Sequence, residues 1–235
     1  MTQRSILGGK TRNVVVRAGG SVSVQGWDSD RVLADTDSLW GLQVERRSET
    51  EIGRARAKVG DHVLFDVRLN VRNPLKKGVP AEVIAVQLGG SGKVYIPLDS
   101  DVKVYSGKGA DVQDVRGNVA VYAGSDAHIR SVRTLVHVSA GGAIDFECEK
   151  VDGDDVKFSA GRDLRCYIRS LTDAKFMIND LGGYWEAVIG EGRVKIRLTA
   201  GGDVTLVSDQ SIVSRSPDDL LGNIERPSDV GSEEK

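Results

Sequence analysis

A short pattern that returns at intervals of 17 to 20 residues constrains this chain more than any other feature. Two apolar residues in alternation are followed by Ala-Gly, and the clear copies have their anchors at Ala123, Ala140, Ala160 and Ala200. The last interval is twice twenty residues. It predicts a degenerate copy in which Phe176 and Ile178 keep the apolar positions and Asp180 replaces the anchor.

The same alternation extends toward the N-terminus, with anchors at Ala18, Leu88 and Ser106. Residues 32–44 are interpreted as a further copy directly after Ala18. Strict alternation indicates strands with one buried face. A repeat of this length suits one turn of a solenoid made of short strands and tight corners. The sequence therefore predicts an all-β, single-domain β-solenoid, or β-helix, over residues 12–213 with coils of 17 to 20 residues.

Composition supports the all-β class, since 28 glycines punctuate a chain whose apolar residues are mainly Val, Ile and Leu. Residues 1–11 are expected to form an N-terminal arm. Residues 46–77 are irregular, and there strands are favoured over a helix because apolar and basic residues alternate around Ala57. In the C-terminal tail, 214–235, the run from Ser216 to Leu221 predicts a short helix that caps the solenoid.

Placing the copies on their anchors aligns small residues at the corners and apolar residues inside. The glycines after the anchors are expected at corners that need positive φ or a close backbone approach. Cys148 and Cys166 fall on inward positions of successive coils. Buried free thiols are favoured over a disulfide or a metal-binding pair.

Charge and segment lengths exclude several partners and locations. The formal net charge is −2, so bulk attraction to nucleic acid is not expected. No apolar run is long enough for a membrane span, and the residues after Met1 lack the apolar core of a secretion signal. A cytoplasmic location is therefore expected in preference to the cell surface.

The residues that could support catalysis or ligand binding each have a structural interpretation. The glycine-rich segments 5–11 and 89–93 each lack part of the phosphate-loop motif. The three histidines, His62, His128 and His137, do not converge and are interpreted as surface residues. Acidic clusters are interpreted as turn-forming aspartates. No catalytic residue, cofactor or metal site is predicted.

A group of outward aromatic residues is the one candidate for a binding surface. The predicted interaction face consists of Tyr122, Tyr167, Tyr184 and Trp185. Aromatic side chains exposed on a lateral face are typical of protein-binding and carbohydrate-binding sites.

The segment from Gly19 to Val32, with its Gly-x-Val-x-Val strand and Gly-Trp-Asp turn, resembles the opening of the bacterial family called putative adhesins. The segment from Val94 to Val104 resembles the middle of that family, and the resemblance covers residues 12–208. It implies a β-solenoid domain of unknown function with no catalytic residues. Members commonly carry a signal peptide or lipid anchor, which this sequence does not show. Bactofilins, cytoplasmic β-solenoids that polymerise end to end, are similar in architecture.

Together these features predict a non-enzymatic structural or interaction protein. Its lateral faces are expected to support self-association, as a homo-oligomer or filament, or to bind an unknown protein or glycan partner. The alternative is a polysaccharide-binding or polysaccharide-acting β-helix protein. The sequence alone leaves open the partner, the oligomeric state and the handedness of the solenoid.

Overall fold

A computed structural model describes residues 2–7, 13–36, 41–48, 54–59, 62–68, 82–151, 155–171, 173–189, 191–208 and 211–214. Every regular element in these ranges is a β-strand, which confirms the predicted all-β class. The first strands are β1 (Thr2–Leu7), β2 (Asn13–Ala18), β3 (Val22–Trp27), β4 (Arg31–Thr36), β5 (Leu42–Ser48), β6 (Arg54–Val59), β7 (His62–Arg68), β8 (Glu82–Leu88), β9 (Gly92–Pro97), β10 (Asp101–Ser106) and β11 (Ala110–Gln113). The remaining strands are β12 (Asn118–Ala123), β13 (Ala127–Ala140), β14 (Ile144–Val151), β15 (Asp155–Ala160), β16 (Leu164–Ile168), β17 (Ala174–Asp180), β18 (Gly183–Ile189), β19 (Val194–Ala200), β20 (Val204–Ser208) and β21 (Ser211–Ser214).

Most strands belong to one of two ladders, and the first is called ladder A. Its parallel strands follow the spatial order β8, β2, β10, β12, β13, β15, β19 and β17. Residues at equivalent positions of the sequence pattern lie opposite one another, as Val102 does to Val14 and Val119. An antiparallel strand closes each end, β5 beside β8 and β18 beside β17.

The second ladder, ladder B, is built in the same way from the strands that follow the corners. Its parallel strands follow the order β9, β3, β11, β13, β14, β16 and β20. Antiparallel strands again end it, β4 and then β1 beside β9, and β21 beside β20. Strand β13 contributes its first part to ladder B and its last part to ladder A, with Ser131 at φ 53° between them. The left-handed conformation of Ser131 lets one strand serve both ladders.

The inward side chains of both ladders share one apolar core. Phe146 on ladder B and Phe158 on ladder A place their ring centroids 4.7 Å apart, and both are 1% exposed. Burial of each such ring contributes about 1.5–3 kcal/mol. The alternation read from the sequence thus separates a filled interior from an outer surface on each ladder.

A column of glycines joins the ladders at the corner after each anchor. A Cβ atom at Gly141 would lie 2.4 Å from the carbonyl oxygen of Gly124, and one at Gly161 would lie 2.1 Å from that of Gly141. Neither glycine has a positive φ. Of the two reasons expected for these glycines, the structure therefore supports close backbone approach.

The degenerate copy near residue 180 is a strand in the expected register, but its place in the stack differs from the expectation. Phe176 lies opposite Ile196 and is fully buried. However, β15 pairs directly with β19, and β17 lies beyond β19 at the end of ladder A. The reason is the hairpin with β18, which occupies the second edge of β17 and leaves room for only one parallel neighbour.

The expected copy over residues 32–44 is wrong. Strand β4 runs antiparallel to β9, and β5 runs antiparallel to β8, so neither continues the parallel stack after Ala18. The strands that follow β2 and β3 in space are instead β10 and β11 on one side and β8 and β9 on the other. Residues 28–30 form the bend after which the chain runs in the opposite direction, and the indole of Trp27 donates a hydrogen bond to the carbonyl of Arg31 across it (2.7 Å).

The preference for strands in the irregular section 46–77 is confirmed where that section is described. Residues 46–48 end β5, and β6 and β7 pair as an antiparallel hairpin in a separate small sheet. The predicted C-terminal helix from Ser216 to Leu221 lies outside the described residues. In the N-terminal arm, residues 2–7 form β1 and pair with β4.

Candidate interaction surfaces

The predicted aromatic face is distributed over several parts of the molecule. Tyr122 lies on the outer face of ladder A, and Tyr167 lies on ladder B. Tyr184 and Trp185 lie on β18, where Tyr184 is 63% exposed and Trp185 packs against the core. The structure therefore brings Tyr184 and Trp185 onto one strand and leaves the other two elsewhere. A binding role for any of the four stays a prediction.

Tyr122 belongs to a stack of rings across neighbouring strands of ladder A. Its ring lies 4.9 Å from that of Tyr105, with 5° between the planes, and 4.9 Å from that of His137. The guanidinium of Arg17 lies 5.6 Å from the ring centroid of Tyr105. The stack forms because Arg17, Tyr105 and Tyr122 occupy the same register position on β2, β10 and β12.

The pKa values of the three stacked rings are shifted by their surroundings. Burial raises the pKa of both tyrosines, while burial and the neighbouring Lys157 lower the pKa of His137. Because the ring faces of Tyr105 and Tyr122 pack on one another, the stack offers mainly ring edges and hydroxyls to a partner. The aromatic stack is better suited to fixing the register of ladder A than to binding a flat ligand.

The hairpin of β17 and β18 is the most apolar exposed end of the described chain. Leu181, Tyr184 and Val188 are 77%, 63% and 59% exposed. Asp180 organises its turn, since it accepts hydrogen bonds from the N–H of Gly182 (2.9 Å) and the indole of Trp185 (3.0 Å). These bonds explain why an aspartate stands where the repeat has alanine.

A groove of about 900 Å³ lies on the outer face of ladder B. Four of its side chains form one row across β9, β3, β11 and β13, and that row is Lys93, Ser23, Asp111 and His128. Asp35 and Tyr95 also line the groove. Sequence reasoning missed this site because Asp35 reaches Lys93 only through the antiparallel pairing of β4 with β9.

The polar groups of this groove differ in how many hydrogen-bond partners they have within the protein. The side-chain amide of Gln113 donates to Asp111 (2.9 Å). At one end, Asp126 accepts from the N–H of Ala143 (2.7 Å) and from Arg162 (2.6 Å), and these bonds hold the pKa of Asp126 below its usual value. In contrast, Oδ1 of Asp35 is enclosed, and no donor from the described part of the chain reaches it.

A second, smaller groove of about 460 Å³ carries charges of both signs. Arg169 forms an ion pair with Glu147, and Arg133 lies 3.9 Å from Glu149. Arg116 completes the lining on the basic side. Because the acids and bases pair with one another, this groove has less unmet hydrogen-bonding capacity than the groove on ladder B.

Both cysteines are buried free thiols, as predicted. Cys148 and Cys166 lie on adjacent strands of ladder B, at register positions two residues apart. Burial raises the pKa of Cys148 to about 12 and raises that of Cys166 as well. Thiols of this kind are poor nucleophiles at neutral pH.

The remaining candidates are distributed as follows. His128 lies on ladder B and His137 on ladder A, whereas the side chain of His62 is outside the described part of the structure. Residues 89–91 form the corner between β8 and β9. Within the described ranges, no group of three or more His, Cys, Asp or Glu side chains is arranged to hold a metal ion. The same ranges contain no helix with the length and apolarity that crossing a membrane requires.

Comparison with known proteins gives little further guidance. No family model matches the chain. No curated protein matches it either. Among solved structures, the chain is similar to a putative cell adhesion protein from Clostridium sporogenes, with 8% identity, 88% of this chain and 98% of that chain covered, and a TM-score of 0.44. So distant a likeness carries no argument about function, and the resemblances to the adhesin family and to bactofilins stay predictions.

Proposed function

We propose that this chain is a non-enzymatic structural or interaction protein, built as a β-solenoid that presents its lateral faces to partners or to copies of itself. One observation carries the proposal. Strands with the repeated pattern pair in parallel and in register in both ladders, around one core. Stacked units of this kind provide extended, regular surfaces, which repeat proteins use for binding.

The separation of inner and outer positions supports a binding role for the faces. On β15 every second residue is buried, and the intervening residues Lys157 and Ser159 are exposed. The outer rows are therefore free to vary in chemistry without changing the core. The aromatic stack on ladder A and the groove on ladder B are two such rows with distinct character.

The ends of the ladders favour self-association. Strands β18 and β21 end the ladders on one side, and β1 and β5 lie at the other. A terminal strand has backbone N–H and C=O groups available for a further strand. Four of the exposed large apolar side chains lie at these ends, Leu181, Tyr184 and Val188 on one side and Leu7 on the other.

The two ends also differ in outline. Beyond the paired parallel strands, ladder B extends further at the first end, through β4 and β1, and ladder A extends further at the second, through β17 and β18. These offsets are complementary, so head-to-tail contact is the expected mode of association.

Sedimentation velocity and negative-stain microscopy over a wide concentration range test this proposal. The wild-type protein is expected to form larger species as concentration rises, and Val188→Lys is expected to suppress them. Ser159→Lys, which also adds a charge but lies on the lateral face of ladder A away from the terminal strands, is the matched control and should behave like the wild type. A wild-type protein that stays monomeric at every concentration contradicts the self-association part of the proposal.

A polysaccharide-binding role is the second candidate, and the groove on ladder B favours it. The groove is lined by hydroxyl, amine, imidazole and carboxylate groups along several strands. An interaction protein with such a groove can bind an extended polar ligand without performing a reaction on it.

A further inference from the structure

The groove on the outer face of ladder B is the binding site whose chemistry the structure specifies most closely. We propose that it binds a neutral oligosaccharide, lying along the row Lys93, Ser23, Asp111 and His128 with Asp35 at one end. The inference rests on the proposed binding role of the lateral faces. It names the ligand class for one of them.

The shape of the groove fits an extended ligand. Its row of four side chains crosses four neighbouring strands. Neighbouring strands are separated by about 4.8 Å, so the row is roughly 14 Å long. Its volume of about 900 Å³ is in the range of small-molecule sites. A short linear oligomer running along the stack can therefore contact every member of the row.

The row offers donors and acceptors in alternation. Lys93 donates, Ser23 donates and accepts, Asp111 accepts, and the imidazole of His128 has one ring nitrogen of each kind when neutral. A sugar hydroxyl is both a donor and an acceptor, so a chain of hydroxyls can pair with each of these groups in turn. An aliphatic or aromatic ligand would leave all of them without partners.

Asp35 is half-buried at one end of the groove, opposite Lys93 on the neighbouring strand. Its Oδ1 is enclosed by the protein, so a ligand can meet only the other carboxylate oxygen. That oxygen adds an acceptor for a sugar hydroxyl at this end of the row.

The charged side chains that line the groove disfavour ionic ligands. Asp35 and Asp111 contribute negative charge, which opposes a phosphate, a uronic acid or a nucleic acid strand, whereas Arg162 pairs with Asp126 at the end of the groove. Lys93 lies within the row and opposes a polyamine. Tyr95, whose ring lies 5.7 Å from that of Trp27, adds an apolar surface of the kind that packs against the C–H face of a sugar ring. A neutral carbohydrate satisfies all three conditions.

A panel of neutral gluco-, manno- and galacto-oligosaccharides, screened on a glycan array and followed by titration calorimetry, tests the proposal. At least one of them is expected to bind. Asp111→Ala is expected to weaken that binding by about tenfold or more, since it removes an acceptor from the row. Asp35→Asn, which keeps the shape of the side chain, should weaken it as well. Asp145→Ala is the control, because Asp145 lies next to His128 in the same row but outside the groove.

Three outcomes would overturn the inference: no neutral oligosaccharide binds, the ligands found are only anionic glycans or polyamines, or both groove variants bind as the wild type does. Thermal melting of each variant separates lost binding from lost folding. Sedimentation velocity remains an independent readout. A protein that self-associates but binds no sugar contradicts this inference alone, whereas a monomer that binds sugar contradicts only the self-association.

Discussion

The corner glycines allow successive corners to approach one another closely. The N–H of Gly161 donates to the carbonyl of Ala140, and the N–H of Gly201 donates to that of Ala160. A side chain at these positions would enter the backbone of the neighbouring corner. The glycine of each Ala-Gly pair therefore makes a close backbone contact and a hydrogen bond with the preceding corner.

Gly161→Ala is expected to destabilise the fold by about 1–3 kcal/mol, because its Cβ would lie 2.1 Å from the carbonyl oxygen of Gly141. Denaturant unfolding measures the loss. Gly109→Ala is the matched control, since its Cβ would lie 3.5 Å from the oxygen of Asp126, an ordinary contact. Equal stability of the two variants would argue against the corner geometry.

The two thiols are expected to be unreactive in the folded protein. Cys148, whose pKa is raised to about 12, and Cys166 are each at most 2% exposed. A thiol reagent such as Ellman's reagent should therefore label neither at neutral pH and both after unfolding in denaturant. Rapid labelling of either cysteine in the native protein would contradict their placement in the core.

The inward or outward direction of a side chain was predictable where apolar and polar residues alternate along a strand. The inward positions of Val121, Phe158 and Leu206, and of both cysteines, follow from alternation alone. The groove was not predictable, because Asp35 and Lys93 are far apart in the sequence and meet only through strand pairing. Of the four aromatic residues predicted to point outward, Trp185 packs against the core, and alternation does not say which ladder each of the three tyrosines occupies.

At the scale of elements, side chains at one corner accept hydrogen bonds from the backbone of the next corner. Asp126 accepts from the N–H of Ala143, and Asp163 in the same way accepts from that of Asp203 (3.1 Å). These bonds satisfy backbone donors where the strands turn. Asp126 and Asp163 therefore join one corner to the next.

Asp126→Ala is expected to lower the melting temperature at neutral pH. The folded-state pKa of Asp126 is below its ordinary value, so the carboxylate stabilises the fold above the unfolded pKa of about 3.9. That stabilisation is lost as the pH falls through the folded pKa. The difference between wild type and variant should therefore shrink as thermal melts are repeated toward pH 3.

Asp145→Ala, on the neighbouring strand β14, is the matched control for that series and should leave the transition nearly unchanged. A difference for Asp126→Ala that stays constant down to the lowest pH would show that its carboxylate is not the group that matters.

Strands were easier to predict than their partners. Alternation is the same for parallel and antiparallel pairing, so it identified β4, β5 and β17 as strands, whereas the prediction that β4 and β5 continue the parallel stack was wrong. The antiparallel partners at the ladder ends follow from local bends, at residues 28–30 and at Gly182 and Gly183, where Gly183 has φ 106°. Such bends look like ordinary corners in the sequence.

At the scale of the whole molecule, the strands do not stack in chain order. Strand β2 lies between β8 and β10, and β19 lies between β15 and β17. Ala160 and Ala200, forty residues apart in the sequence, therefore lie on neighbouring strands. The residues between them include β17 and β18, which lie at the end of ladder A. One core joins both ladders, but the order of the strands around it was not predictable from the sequence.

Disulfide trapping tests this order, on which the proposed solenoid and its end surfaces depend. Ser159 and Thr199 lie directly opposite each other on β15 and β19, and Asn179 is one strand further. Neighbouring strands are about 4.8 Å apart, within the range that a disulfide spans, whereas two steps exceed it. We predict that Ser159→Cys with Thr199→Cys forms a disulfide under mild oxidation, detected by mass spectrometry of the peptides. If Ser159→Cys with Asn179→Cys cross-links instead, the strands stack in chain order and the pairing of β15 with β19 is wrong.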